Sequence, residues 1–386
     1  MRRKKVLMAC ANYWTSPFQV GSHHIARGFV DLGWDVAFVS DPISPLHLVN
    51  GLTSELRERI LIHQLGGIKD LNGRVWAYVP SAMITPHNKL LLRNDLVQKY
   101  WRYVSWPNII KKIKQAGFGK VDLLYFDSVN QAFWVDVLPH KYSLLRIADN
   151  NHQFNKFTQS MIKMEKWLGR HVDIVAYTAR GLKNYVDNLE PKETLYLPNG
   201  VNFDHFVNGD RTLPNEYKTI NRPIAVYIGA MDVWFDYDLI NIVAQQLPHI
   251  SFVFIGPERM AKERLRSRSN IHLLGKRLYK ELPTYLHNAD VGIIPFNVKD
   301  YPQLINNINP LKLYEYMAAG LPVVSARWKE LELAETPAYL YRNSKEFMDI
   351  FKKLNLENIS HLKYIDYASK HNWNSKVGIL NELFKN

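Results

Sequence analysis

Short, nearly continuous apolar runs alternate along the chain with segments whose apolar residues recur every three or four positions. The runs Lys5–Cys10, Trp34–Ser40, Val75–Pro80, Leu123–Phe126, Leu144–Ile147, Val172–Tyr177 and Thr194–Leu197 predict strands. Between the first two, Ser22–Leu32 predicts a helix capped by Ser22, with Ile25, Phe29 and Val30 inward and Gly33 as its stop. That strand–loop–helix–strand opening is a βαβ unit. Helical spacing also covers Lys89–Gly117, interrupted at Pro107, then Phe157–Leu168 and Ala179–Val186. Pro198-Asn199-Gly200-Val201 is a turn, and the stretch to Tyr217 has the polarity of a linker.

A second series then begins. Pro223–Ile228, Ser251–Ile255, Asn270–Leu274 and Val291–Pro295 predict strands, with helices over Tyr237–Gln246 and Leu278–His287 and closing helices from about Glu346. Runs this apolar suit parallel strands covered on both faces. With 386 residues, two α/β domains with separate cores are expected.

The segment Asn309–Ser325 carries the most chemistry. Pro310 stands where a helix start tolerates proline, Leu313, Met317 and Ala318 repeat at helical spacing, and Gly320 ends the helix before Pro322-Val323-Val324 opens a strand. Lys312 falls in the first turn, where the helix dipole disfavours a cation unless an anion binds there. Glu315, one turn on, shares its face and can accept hydrogen bonds from a ribose diol. An ordinary surface Lys–Glu pair accounts for the same spacing. Gly21-Ser22-His23-His24 follows the first strand, at the end where open α/β sheets bind ligands, so His23 and His24 are site candidates. A cap residue and a packed histidine are the alternative.

Composition narrows the classes. Cys10 is the lone cysteine, which excludes an intrachain disulfide and fits a reducing compartment. No run reaches the ~18 apolar residues of a membrane span, and Val6–Ala11 reads as a strand rather than a signal-peptide core. The formal charge is +13, and residues 89–120 hold eight Lys/Arg against Asp95 alone. Within them, Tyr100-Trp101-Arg102-Tyr103-Val104-Ser105-Trp106 interleaves rings and cations, as suits an anionic bilayer surface. Asp236-Tyr237-Asp238 spells a metal-binding phrase but opens a helix, where a cap and a dipole complement explain it. No cluster has metal-ligand spacing, so no metal is expected.

Two doubly wound halves with closing helices resemble the GT-B fold of glycosyltransferases. The resemblance rests on Leu274–Pro283, Ala289–Phe296 and Asn309–Ser325, which look like that superfamily's donor-nucleotide domain, and on the interdomain phrase Tyr196–Val201. Gly21–Arg27, Asp41–Pro45 and Ile147-Ala148-Asp149 are similar to the bacterial xanthan glucuronosyltransferase family. The resemblance implies two Rossmann-like domains facing a cleft: an acceptor domain over 1–205, a donor domain over 206–365, and a helix over 366–386 crossing back to the first. It implies a metal-independent inverting transfer of glucuronate from UDP-glucuronate to a lipid-linked oligosaccharide in surface polysaccharide synthesis. The enzyme would lie peripherally on the cytoplasmic face of the inner membrane, bound through 89–120, with no cofactor beyond the UDP-sugar co-substrate.

Residue by residue, the resemblance makes Asp149 the general base, places Lys312 on the diphosphate and sets Met231 beside the donor. Glu315 departs from the xanthan enzyme and matches the ribose-binding glutamate of the wider superfamily. Gly229, Pro310, Leu311 and Arg277 complete the candidate donor site, and Trp14, His23 and His24 form the candidate acceptor site. Asp127 and His152 are alternative bases. A retaining enzyme of the same fold, a UDP-sugar epimerase and a nucleic-acid-binding protein are the competing functions. The last leaves the Lys312–Glu315 helix unexplained, so nucleic acid is not the expected partner.

Overall fold

The computed structural model describes residues 2–89, 92–154, 157–354 and 360–385. The chain forms two compact units, one of residues 1–198 with 376–386 and one of residues 199–375.

The first unit holds strands β1 (Lys5–Cys10), β2 (Asp35–Ser40), β3 (Ile68–Asp70), β4 (Val75–Tyr78), β5 (Leu123–Phe126), β6 (Tyr142–Ile147), β7 (Ile174–Tyr177) and β8 (Glu193–Tyr196). They form one sheet in the order β3-β4-β2-β1-β5-β6-β7-β8, parallel except for β3 against β4. The chain leaves β1 towards β2 on one side and returns to β5 on the other, which puts the topological switch at β1 and β5. Leu7, Ala37, Leu124, Leu145 and Val175 build the core beneath the helices. The end of the chain belongs to this unit. Asn381 Oδ1 accepts from Trp34 Nε1 at 3.0 Å, and the Phe384 carbonyl accepts from Lys4 Nζ at 2.8 Å.

The second unit holds β9 (Ile224–Ile228), β10 (Ser251–Ile255), β11 (Ile271–Gly275), β12 (Val291–Ile294), β13 (Val323–Ala326) and β14 (Tyr339–Tyr341). Its sheet is wholly parallel in the order β11-β10-β9-β12-β13-β14, with its switch between β9 and β12. Ala225, Val226, Phe254, Ile293 and Val324 are its buried centre.

Several local expectations change. The first helix runs Gly21–Asp31 and is not capped by Ser22: the His23 ring caps it by accepting from the Val20 N–H at 3.2 Å. The 201–217 stretch is not a plain linker. It carries a helix at Phe203–Val207 and a short 3-10 turn at Asn215–Thr219, and the second unit begins at Asn199 because Val201 pairs with Asn372. The basic stretch is broken into a helix at Asp95–Tyr100, a 3-10 turn at Trp101–Val104 and a helix at Ile109–Gln115. Trp101 is core, donating its indole N–H to the Asn130 carbonyl at 2.7 Å.

Candidate functional site

In the second unit the helix Leu311–Ala318 starts after Pro310, whose extended backbone forms the cap position, and ends at Gly320 with φ +84°. Lys312 is therefore in the first turn. Its ammonium lies 5.3 Å from the Tyr227 ring centre on β9 and 5.2 Å from that of Phe296, just past β12. The cation is thus held at the switch between those strands, where two ring faces offset its loss of water. Gly229, the residue after β9, lies against it at φ +153°. A Cβ there would meet Lys312 Cε at 3.1 Å and Nζ at 3.2 Å, so glycine leaves room for the lysine.

The turn after Gly229 is pinned by phenols. Tyr227 Oη donates to the Ala230 carbonyl at 2.7 Å, Tyr237 Oη donates to that of Met231 at 2.7 Å, and Tyr316 Oη accepts from the Ile228 N–H at 2.7 Å. Met231 is buried against the core, so its fixed backbone is its contribution to the turn. Glu315 is half-buried on the lysine's helix. Burial pushes its carboxyl up to about 7, with Lys312 opposing the shift. The structure thus joins Lys312, Glu315, Gly229, Pro310, Leu311 and the Met231 backbone around one helix start. The N–H groups of a helix's first turn, a cation and a carboxylate one turn away can bind a phosphate and a diol.

Arg277 is held by a different set of partners. Its guanidinium donates to Tyr285 Oη at 2.6 Å and to the Leu274 carbonyl at 2.5 Å, and pairs with Glu216. These bonds hold the loop after β11. Asp236 caps Tyr237–Gln246 by accepting from the Leu239 N–H at 2.8 Å, as its position implies.

In the first unit, carboxylates gather beyond the strand ends: Asp41 after β2, Asp127 after β5 and Asp149 after β6. Asp127 accepts from the Ala11 N–H at 2.7 Å and from the Ser22 hydroxyl. Burial raises its pKa, against which these hydrogen bonds and Arg146 act. Arg146 reaches the helix start from β6, and Gly21 makes room for it: a Cβ would fall 2.5 Å from Arg146 Nη2. Asp41 accepts from Ser128 Oγ at 2.5 Å and Asn130 Nδ2 at 2.7 Å, and burial lifts its pKa to about 6.

Asp149 is half-buried, two residues past β6. Thr178 fixes the backbone before it, donating its hydroxyl to the Ala148 carbonyl at 2.9 Å. Glu165 fixes the turn after it. That carboxylate is 0% exposed; it accepts from Asn151 Nδ2 at 2.7 Å and from the Tyr185 hydroxyl, with His152 Nε2 at 3.5 Å. His152 is thereby a brace for this turn. Sequence reading passed over Glu165, yet it was legible: an acid among Met161, Met164 and Leu168 on an apolar helical face marks a buried polar contact. Asp41, which opens the loop Asp41–Pro45, carries no comparable signal in its neighbours.

The three acceptor candidates are all buried. His23 uses both ring nitrogens on backbone, accepting from Val20 and facing the Tyr13 carbonyl at 3.0 Å, and burial lowers its pKa to about 4. Trp14 donates to Asp70 at 2.8 Å and its ring packs on His23 and Phe38. His24 is enclosed in the same helix start. These side chains brace the loop instead of lining an open acceptor surface.

With this geometry in view, similarity to known proteins can be read. Residues 8–178 match the family described as glucuronosyltransferase GumK, N-terminal domain, and residues 222–355 match glycosyl transferases group 1. Among solved structures, sucrose-phosphate synthase from Thermosynechococcus elongatus superposes with a TM-score of 0.67 at 14% identity, covering 99% of this chain and 98% of that one. HepE of Anabaena, in complex with UDP and glucose, gives 0.65 at 13% identity, covering 99% of this chain and all of that one (100%). The chain has the GT-B fold and resembles GumK. TuaH of Bacillus subtilis, named for glycosyl transfer in teichuronic acid biosynthesis, is 26% identical over 205 residues. The match spans about half of this chain and half of that relative (50% of each). Sequence and fold alike thus resemble glycosyltransferases. The GumK-like part ends within the first unit, around the strand ends that carry Asp41, Asp127 and Asp149.

Proposed function

We propose that this protein is a glycosyltransferase that moves a sugar from a UDP-sugar to a glycan acceptor. The observation that carries it is Lys312 at the start of Leu311–Ala318, over Gly229 at the β9/β12 switch, with Glu315 one turn on. The lysine and first-turn N–H groups take the diphosphate, and Glu315 takes the ribose diol. In the transfer, the acceptor hydroxyl oxygen forms a bond to C1 as the C1–O bond to UDP breaks. UDP leaves with that electron pair, and Lys312 stabilises the charge it gains. Asp149 takes the hydroxyl proton, which requires its carboxylate to face C1 of the bound donor.

The likeness to GumK supports glucuronate as the sugar, inversion as the stereochemical course and a lipid-linked oligosaccharide as the acceptor. TuaH supports a place in cell-surface polysaccharide synthesis. No helix among the described residues is long and apolar enough to cross a membrane. The proposed attachment, at the cytoplasmic face of the inner membrane, is peripheral. Trp106 at 81% and Tyr103 at 64% exposure stand among the cations of residues 89–120. Rings in that setting sit at headgroup level while Lys and Arg meet anionic lipid.

Incubation with UDP-glucuronate and a lipid-linked acceptor, with the product anomer read by NMR, tests the proposal. A β-linked glucuronide that Asp149→Asn fails to make, while still binding UDP, is the expected result. Glu315, the residue type of the wider superfamily, favours a second reading in which transfer retains configuration. An α-linked product would establish that reading and remove the need for a base.

A further inference from the structure

A cavity of about 460 Å³ in the first unit is used by nothing in the proposed transfer. It lies between the helix Asp95–Tyr100, the turn holding Arg102, the residues following β5 and the helix Gln159–His171. Its lining has two characters. Phe133, Met164 and Trp167 give an apolar wall, while Lys99 and Arg102 give one side cationic character. Asp95 and Lys163 also line it but are spent on each other at 2.8 Å, and Asp95 further accepts from Ser160 at 2.7 Å. Asp136, the remaining acid, is exposed.

Arg102 is the informative residue. Its Nη2 donates to Tyr103 Oη at 2.9 Å, and the guanidinium stacks 4.8 Å from the Tyr103 ring and 5.1 Å from that of Phe133. Its Nε and Nη1 are buried and have no hydrogen-bond partner among the described residues. Unsatisfied buried donors on a cation are costly, and once Nη2 leaves Tyr103 the Nε–Nη2 edge of the guanidinium matches the two oxygens of a phosphate or carboxylate. Tyr103 is exposed, so a turn of both side chains can deliver those donors to the cavity.

We propose that this cavity binds an anionic amphiphile, with a phosphate head on Arg102 and Lys99 and an apolar body against Phe133, Met164 and Trp167. Gln98, on the cavity wall, donates to Asn130 Oδ1 at 3.1 Å, and Asn130 donates to Asp41 at 2.7 Å. An occupant is therefore wired to the carboxylates beyond the strand ends. On the reading of a lipid-linked acceptor, the occupant is the acceptor's own charged head; that clause alone rests on the proposed transfer.

Calorimetric titration of the full chain with decyl phosphate, kept below its micelle concentration, tests the site. Saturable binding is expected, weakened at least ~10-fold by Arg102→Gln and unchanged by Lys218→Gln. Met164→Glu, which adds a negative charge to the wall, should weaken it as much; it keeps the test decisive if Arg102→Gln does not fold. Decanol binding as tightly as decyl phosphate would overturn the phosphate seat. Inorganic phosphate binding as tightly would overturn the apolar wall. Binding to phosphatidylglycerol vesicles without binding to monomeric decyl phosphate would place the affinity on the surface and overturn the cavity. UDP binding is measured in parallel, so loss of this site and failure of the nucleotide reading are told apart.

Discussion

The Glu165 carboxylate holds the Asn151 side chain at 2.7 Å, two residues beyond Asp149. Both of its oxygens are directed at the turn that follows the proposed base or at Tyr185, which packs on that turn through His152. A fully buried acid whose partners converge on one loop fixes that loop's geometry.

Glu165→Ala should therefore act on two levels. It leaves the Tyr185 hydroxyl and the Asn151 amide without their acceptor and should cost about 2–4 kcal/mol in denaturant unfolding. It should also lower kcat at least ~10-fold with little change in UDP affinity, because it displaces the base and not the donor site. Glu165→Gln keeps the shape and one acceptor, and should restore part of the rate. Loss of stability with kcat intact would reduce Glu165 to a packing residue.

Glu315 gives a pH signature. Its carboxyl is raised from 4.5 to about 7 in the folded chain. Between those values the folded state holds a proton that the unfolded state has lost, so this group's contribution makes stability fall as pH rises through the window. Nucleotide binding runs the other way. Ribose hydroxyls donate to the ionised form, so binding UDP should release a proton near pH 7 and tighten as pH rises to 8. Calorimetry of uridine in two buffers of different ionisation enthalpy measures the release, and Glu315→Gln should abolish it. Uridine avoids the phosphate's own titration.

His23 predicts acid sensitivity with the opposite slope. Its folded pKa is lowered from 6.5 to about 4 by burial. The unfolded chain then takes up the proton first, so the stability it confers is complete above about 6.5 and is lost as pH falls towards 4. A shift of this size corresponds to roughly 3 kcal/mol. Because Glu315 acts in the opposite sense over the same range, the readout is a difference: the urea midpoint of the wild type relative to that of His23→Gln should fall between pH 7 and pH 4.5.

Much of the second unit was legible because its grammar is local. An apolar run ending in glycine, a proline–helix–glycine unit and a following strand each bring their own chemical signal, and Tyr237–Gln246 and Ser251–Ile255 fall where their spacing predicts. The Lys312–Glu315 pair was visible for the same reason: three residues apart on a helix means one face. Partners such as Tyr227 and Phe296 were hidden, because β9 and β12 become neighbours only through the sheet order. The first unit was harder. The ligand-like appearance of His23 and Trp14 came from their place after a strand, while their burial came from contacts with Phe38 and Asp70, which no local pattern encodes. The basic stretch misled by period: Trp101 turns inward to Asn130 as Tyr103 and Trp106 turn out, which needs a broken backbone and not one amphipathic helix.

The central claim is that a nucleotide diphosphate docks at the start of Leu311–Ala318 with Lys312 as its cation. Titration of UDP into the wild type and Lys312→Ala at pH 8 tests this most directly. The account predicts saturable binding by the wild type and a loss of about 10- to 100-fold in the variant, the scale of one or two charge-assisted hydrogen bonds. Equal affinity in the two proteins would contradict it.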